Sequence, residues 1–143
     1  MRVLFVDDDP EHVGAVAAIL ADALGADVAV AVSVEEAVTA LHAAPVDLVV
    51  TDIFIPLGRQ PRAALGPRAR RYAETVQHLG GLVLLDEIDR LPRPPKVLAH
   101  TACTDFALIE VLGERVAARV PKPAPVDVLL RAALEALDLP APR

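Results

Sequence analysis

Four short apolar runs constrain this chain more than any other feature: Arg2 to Val6, Val28 to Val32, Leu48 to Thr51 and Val97 to His100. They show little alternation between apolar and polar residues, and strands of that kind are covered on both faces, as in parallel sheets. Between the first two runs Val13, Val16, Ala17, Leu20 and Leu24 recur at helical spacing, with Asp9 placed to cap, Pro10 in the first turn and Gly25 just past the end. Ser33 and Glu36 form a capping box ahead of Val34, Ala37, Val38 and Leu41. A weaker fifth strand falls at Val116 to Val120, and Val126 to Leu137 closes the chain as an amphipathic helix. The pattern is a strand followed by a helix, five times over. It predicts an α/β fold with a doubly wound five-stranded parallel sheet, because right-handed crossovers lay successive strands down in one layer. With 3% aromatic residues and no Trp, the core must be filled by Val, Leu, Ile and Ala, and 143 residues make a single domain spanning 1–143.

One connection is too long. About 30 residues suffice for an entire βαβ unit, yet the stretch from Asp52 to the Val97 strand exceeds that on its own. Gly81 to Leu91 already supplies a crossover helix, so an insertion is placed at about 57–80. It carries Arg59, Arg62, Arg68, Arg70 and Arg71 against Glu74 alone, a net +4 that leaves −10 on the remainder of a chain whose total is −6. That overall balance argues against nucleic acid or an anionic membrane as the target of the whole surface. Cys103 is the single cysteine, so no internal disulfide forms, and no Cys/His spacing suggests zinc. The uncharged part of the first run, Val3 to Val6, is four residues long and is followed by Asp7, Asp8 and Asp9, which fits neither a signal peptide nor a membrane span; a cytoplasmic location is expected.

In a doubly wound sheet, ligands sit beyond the carboxyl ends of the strands. Those ends carry Asp7 and Asp8, then Asp52, Thr101 and Lys122. Alone, Asp7 to Asp9 would read as a charge cluster at a helix N-terminus, and Asp52 as a turn residue. Together with Thr101 and Lys122 they read as a site. Three converging carboxylates repel one another unless a hard cation sits among them, and Mg²⁺ accepts a few carboxylates plus water and phosphate oxygens. A lysine and a hydroxyl would bind the other oxygens of a transferred phosphoryl group. Lysine is scarce, only Lys96 and Lys122 against twelve arginines, which makes Lys122 followed by Pro123 more informative.

These pieces resemble a bacterial two-component response regulator receiver domain from Arg2 to about Leu137, apart from the insertion. The matching motifs are Val-Asp-Asp-Asp-Pro at 6–10, Val-Thr-Asp-Ile at 50–53 with Pro56 after it, His-Thr-Ala at 100–102 and Pro-Lys-Pro at 121–123; the step of 44 residues from Asp8 to Asp52 also fits. The resemblance implies the flavodoxin-like receiver fold with strand order 2-1-3-4-5, to which the insertion in this chain adds an extra helix between strand 3 and helix 3. It implies Asp52 as phosphoryl acceptor, Asp7, Asp8 and Asp52 with the Phe54 backbone carbonyl as Mg²⁺ ligands, Thr101 as switch hydroxyl and Lys122 as the phosphoryl-binding ammonium. Asp9 is the helix cap. Such a domain is no enzyme in the ordinary sense but assists its own phosphorylation and dephosphorylation. Its partners would be a sensor histidine kinase or phosphotransfer protein and a downstream protein that the sequence does not name, in signal transduction or a phosphorelay.

Three positions depart from the family pattern. Arg119 stands where receivers commonly carry Tyr or Phe, which puts an aromatic switch in doubt. Phe54 and Cys103 occupy positions that in relatives flank the attacking water, and neither holds water well. Only 21 residues follow Lys122, so a stand-alone receiver with no DNA-binding domain is expected. His12, His42, His78 and His100 lack ligand spacing and read as surface or packing residues. Leu82 to Leu91 is similar to the acidic strand of P-loop ATPases, but the Gly-rich cradle is missing, so Asp86 and Glu87 read as a solvated helix face. Within the insertion Pro67 starts a helix that Gly80 ends, with Ala69, Tyr72, Ala73, Val76 and Leu79 on one face. That stripe needs a surface: the body, a second copy in a homodimer, or a partner, with the arginines beginning close to the acidic pocket. The competing class is a phosphorylation-independent protein interaction module on the same fold.

Overall fold

The computed structural model describes residues 1–58, 66–71, 79–113 and 115–140. Five parallel strands, β1 (Arg2–Val6), β2 (Asp27–Ala31), β3 (Leu48–Thr51), β4 (Lys96–Thr101) and β5 (Ala118–Pro121), lie in the order β2-β1-β3-β4-β5. The helices are α1 (Pro10–Leu24), α2 (Val34–Ala43), α3 (Pro67–Arg70), α4 (Gly80–Asp89), α5 (Phe106–Gly113) and α6 (Val126–Ala136).

Strand side chains alternate between two faces, and the core divides accordingly. Val3, Phe5, Leu48, Val50 and Leu98 pack under α1 and α6, whereas Leu4, Val6, Val49, Val97 and Ala99 pack under α2, α4 and α5. Each such side chain taken fully out of water contributes roughly 1.5–3 kcal/mol. The expectation of strands covered on both faces holds for β1, β3 and β4, but not for β2: Asp27 and Val30 are exposed, because β2 is an edge strand. Its limits also lie one residue earlier than the apolar run suggests. The other edge strand, β5, begins at Ala118 rather than Val116.

The helix punctuation works as written. The Asp9 carboxylate accepts from the His12 N–H at 3.3 Å, and Gly25, at φ 61°, closes α1 in the left-handed region that glycine adopts at no steric cost. The Ser33 hydroxyl accepts from the Glu36 N–H at 3.2 Å. At the start of α2, Val34 and Glu35 donate their N–H groups to Pro56 and Leu57 carbonyls at 3.0 Å. The loop leaving β3 is thus held by α2.

The return from the insertion differs from its sequence reading. Gly80 begins α4 instead of ending the preceding helix. Its N–H donates to Ile55 O and that of Gly81 to Ile53 O, both at 3.0 Å, so the two ends of the insertion meet beside β3. A Cβ on Gly81 would stand 2.6 Å from Ile53 Cα and 2.7 Å from Asp52 O, so any larger residue here forces α4 and the loop after β3 apart. Ala69 and Leu79 are buried in the core, while Tyr72, Val76 and the rest of the expected stripe lie outside the described residues, as do Arg59, Arg62 and His78. No helix among the described residues is long and apolar enough to cross a membrane.

Candidate functional site

The parallel sheet brings the ends of β1, β3, β4 and β5 to one edge, and the side chains singled out in the sequence meet there. Asp7 follows β1 and is 1% exposed; Asp52 follows β3 and is 7% exposed. Between them sits the Lys122 ammonium, donating to Asp7 Oδ2 at 2.5 Å and to Asp52 Oδ2 at 2.9 Å. The Lys122 N–H donates to Thr101 O at 3.0 Å, which ties the ends of β4 and β5 together, and the Lys122–Pro123 peptide is cis. Asp7 Oδ1 accepts from the Asp9 N–H and Asp52 Oδ1 from the Phe54 N–H. Thr101 is fully buried; its hydroxyl acts on the Asp52 carboxylate and accepts from the Cys103 N–H at 3.2 Å.

The electrostatics follow from this geometry. Burial pushes the Asp52 carboxyl up, but the Thr101 hydroxyl, the Lys122 ammonium and the Phe54 N–H outweigh it and hold the group below its ordinary value. For Lys122 burial acts downward, and the two carboxylates overcome it and hold the ammonium above its ordinary value. Asp52 is therefore held ionised although it is largely buried.

The donor set for a cation is of the hard-oxygen kind. Ile53 and Ile55 carbonyls are both taken up by α4, whereas the Phe54 carbonyl between them accepts no hydrogen bond among the described residues. Asp8 is exposed, and no three His, Cys, Asp or Glu side chains among the described residues draw together into a metal cage. Mg²⁺ retains several waters and needs only one or two carboxylates. The residues present therefore fit a hydrated Mg²⁺ and not a closed cage.

Other sequence readings change. Asp86 is not on a solvated face: it is 4% exposed and accepts from the Arg68 and Ala69 N–H groups at 3.4 and 3.1 Å, closing the start of α3. Arg68 also pairs with it at 3.0 Å, and with Asp89 at 2.6 Å. The described part of the insertion therefore directs Arg68 to α4, away from the acidic pocket, and leaves Arg70 and Arg71 exposed. Cys103 is buried, Phe54 is 42% exposed, and Arg119 points to solvent on β5. His100 proves a buried packing residue, its Nδ1 2.9 Å from Val120 O and its ring 6.0 Å from that of His12. Its place at the end of an apolar run was the signal for that burial. Burial lowers its pKa, the Val120 carbonyl acts upward, and the charges of Lys122 and His12 add to the lowering.

A β2-β1-β3-β4-β5 sheet with acidic residues, a hydroxyl and a lysine at its carboxyl edge defines the receiver class of fold. Solved structures agree. The chain superimposes on the non-phosphorylated HemR receiver domain from Leptospira biflexa with a TM-score of 0.69 at 22% identity, over 99% of this chain and 98% of that one. For a CheY-like response regulator receiver domain protein from Methanospirillum hungatei JF-1 the TM-score is 0.71 at 20% identity, over 96% and 93%. For the BeF3-activated N-terminal receiver domain of RstA from Klebsiella pneumoniae it is 0.69 at 21%, over 96% and 98%. At these identities the likeness shows the fold. No family model and no curated protein matches the chain.

Proposed function

We propose that this chain is a response regulator receiver that accepts a phosphoryl group on Asp52 from a sensor histidine kinase or a phosphotransfer protein, and so changes a surface read by a downstream protein. The observation that carries this reading is the Lys122 ammonium held jointly by Asp7 and Asp52 at 2.5 and 2.9 Å. A structural ion pair needs one carboxylate; a cation shared by two at the carboxyl edge of a parallel sheet is poised to receive further anionic oxygens.

In the reaction an Asp52 carboxylate oxygen forms a bond to phosphorus while the P–N bond of the phosphoimidazole donor breaks. The imidazole leaves with the electron pair and takes a proton from solvent. Asp52 stays ionised because Thr101, Lys122 and the Phe54 N–H stabilise its charge. Lys122 binds a phosphoryl oxygen in place of a carboxylate, and the Thr101 hydroxyl donates to another. Asp7, Asp8, Asp52 and the Phe54 carbonyl are the groups that would hold a Mg²⁺ ion, some of them through its retained waters, and the ion would supply charge neutralisation on the phosphoryl oxygens. The chain thus serves as substrate and as its own catalytic environment, in a cytoplasmic signalling pathway.

NMR titration with Mg²⁺ and then beryllofluoride, a phosphoryl mimic, tests the reading. Shifts at Asp52, Thr101 and Lys122 that require both additions are expected. Absence of binding would favour the interaction module that works without phosphorylation.

A further inference from the structure

The insertion is wired to the helix that follows Thr101. Arg115 lies just beyond α5 and is fixed to its last turn, its N–H donating to Leu112 O at 2.9 Å. Its Nε donates to Asp89 Oδ1 at 2.6 Å, and the other oxygen of the same carboxylate pairs with Arg68 at 2.6 Å. Arg68 continues to buried Asp86, which also takes two backbone N–H groups at the start of α3. The result is an unbroken ladder, Arg115–Asp89–Arg68–Asp86, from α5 across the end of α4 to the insertion. Both arginines are about one-fifth exposed and the shared Asp89 is 38% exposed, so solvent and salt screen this bridge in part, whereas Asp86 is buried. Beside it a cleft of about 760 Å³ separates α3 from α5, with Arg71 on one side and Glu110 and Val111 on the other.

The other end of α5 answers to the acidic pocket. Thr101 acts on Asp52, residues 102–105 follow, and Asp105 caps α5 by accepting from the Leu108 N–H at 3.2 Å. A group added to the Asp52 carboxylate would meet Thr101 first and the segment leading to α5 next, and the cleft leaves open space beside that helix. The ladder holds the far end of α5 in its present setting. We propose that the Arg115–Asp89–Arg68 bridge makes the insertion an internal latch that stabilises the unphosphorylated arrangement and opposes phosphorylation. This rests on the functional reading above. By linkage, an interaction made more strongly in one state lowers the affinity of any ligand that selects the other.

The test compares beryllofluoride affinity in the presence of Mg²⁺ for the full chain and for Arg115→Gln, Arg68→Gln and Asp89→Asn. Glu87→Gln, which breaks the exposed pair with Arg90, serves as the control. Opening the latch should tighten binding about threefold to tenfold, and Arg115→Gln combined with Arg68→Gln should give less than the product of the single effects, since both act through Asp89. Unchanged or weaker affinity in Arg115→Gln and Arg68→Gln, with the wild-type chain still binding, overturns the latch and leaves the functional reading standing. An equal gain in Glu87→Gln also overturns it, because the effect would then be one of general surface charge. Failure of the wild-type chain to bind removes the functional reading, and the latch with it.

Discussion

Replacing Lys122 by Met removes the cation that Asp7 and Asp52 share while retaining an unbranched stem. Two charge-assisted hydrogen bonds disappear, at 2.5 and 2.9 Å, from carboxylates that are 1% and 7% exposed. At roughly 1.5–3 kcal/mol each, the loss has an upper figure of about 3–6 kcal/mol. The lysine side chain is 20% exposed, so water can replace part of what is lost, and about 2–4 kcal/mol is expected at neutral pH. In a domain of this size that lowers Tm by about 6–12 °C. The pH dependence has a definite sign. Asp52 is held below 3.8, so its contribution is present above that value and is lost as pH falls through its folded pKa. Lys122 is held above 10.5, so its contribution is complete below that value and is lost as pH rises through its folded pKa. In the variant the Asp52 carboxylate keeps the upward push of burial without its counter-cation, so its protonation in acid stabilises the native state. The difference between wild type and variant should therefore be widest near neutral pH and shrink toward about pH 4. Urea denaturation followed by circular dichroism at pH 7, 5.5 and 4 measures it. A difference below about 1 kcal/mol at pH 7, or one that does not shrink in acid, would refute the reasoning.

Three further outcomes are expected. Gly81→Ala drives a methyl group into the backbone of Asp52 and Ile53 and should cost about 1–3 kcal/mol in denaturant melts; unchanged stability would mean that α4 does not press on this loop. His100 is buried and neutral with its pKa lowered below 6.5, so the unfolded chain binds the proton more readily. Native stability should then decline as pH falls from about 7 to 5, by up to about 1.4 kcal/mol per unit, and His100→Gln should flatten that decline. Phe54 and Cys103 offer an attacking water bulk and a weak acceptor, so Phe54→Asn with Cys103→Glu should speed loss of the phosphoryl group on the order of tenfold in a radiolabel chase; an unchanged lifetime would sink the idea.

The sheet was legible because buried parallel strands leave unbroken apolar runs, and the site because its residues stand where those runs end. Asp7, Asp52, Thr101 and Lys122 needed nothing beyond strand order to be brought together. The misreadings share a cause, which is packing that has no local signature. LVLLDEID on α4 looks amphipathic, yet Asp86 is buried because α3 lies over it and donates two N–H groups to its carboxylate. Gly80 looked like a helix end because glycine often stands there; its actual reason is Ile55 O, which would stand 2.2 Å from a Cβ. Val30 was read as covered, whereas nothing in an apolar run tells an edge strand from a central one. The arginines of the insertion were read from their charge, but Arg68 goes to the carboxylates nearest to it once α3 is seated.

The claim on which the account depends is that Asp52 is the phosphoryl acceptor. Incubation with a small phosphoryl donor and Mg²⁺, followed by intact mass measurement, tests it most directly. One phosphoryl adduct is expected on the wild-type chain, absent without Mg²⁺ and absent from Asp52→Asn, which should fold normally. An adduct that persists in Asp52→Asn, or none on the wild-type chain with the site intact, would contradict it.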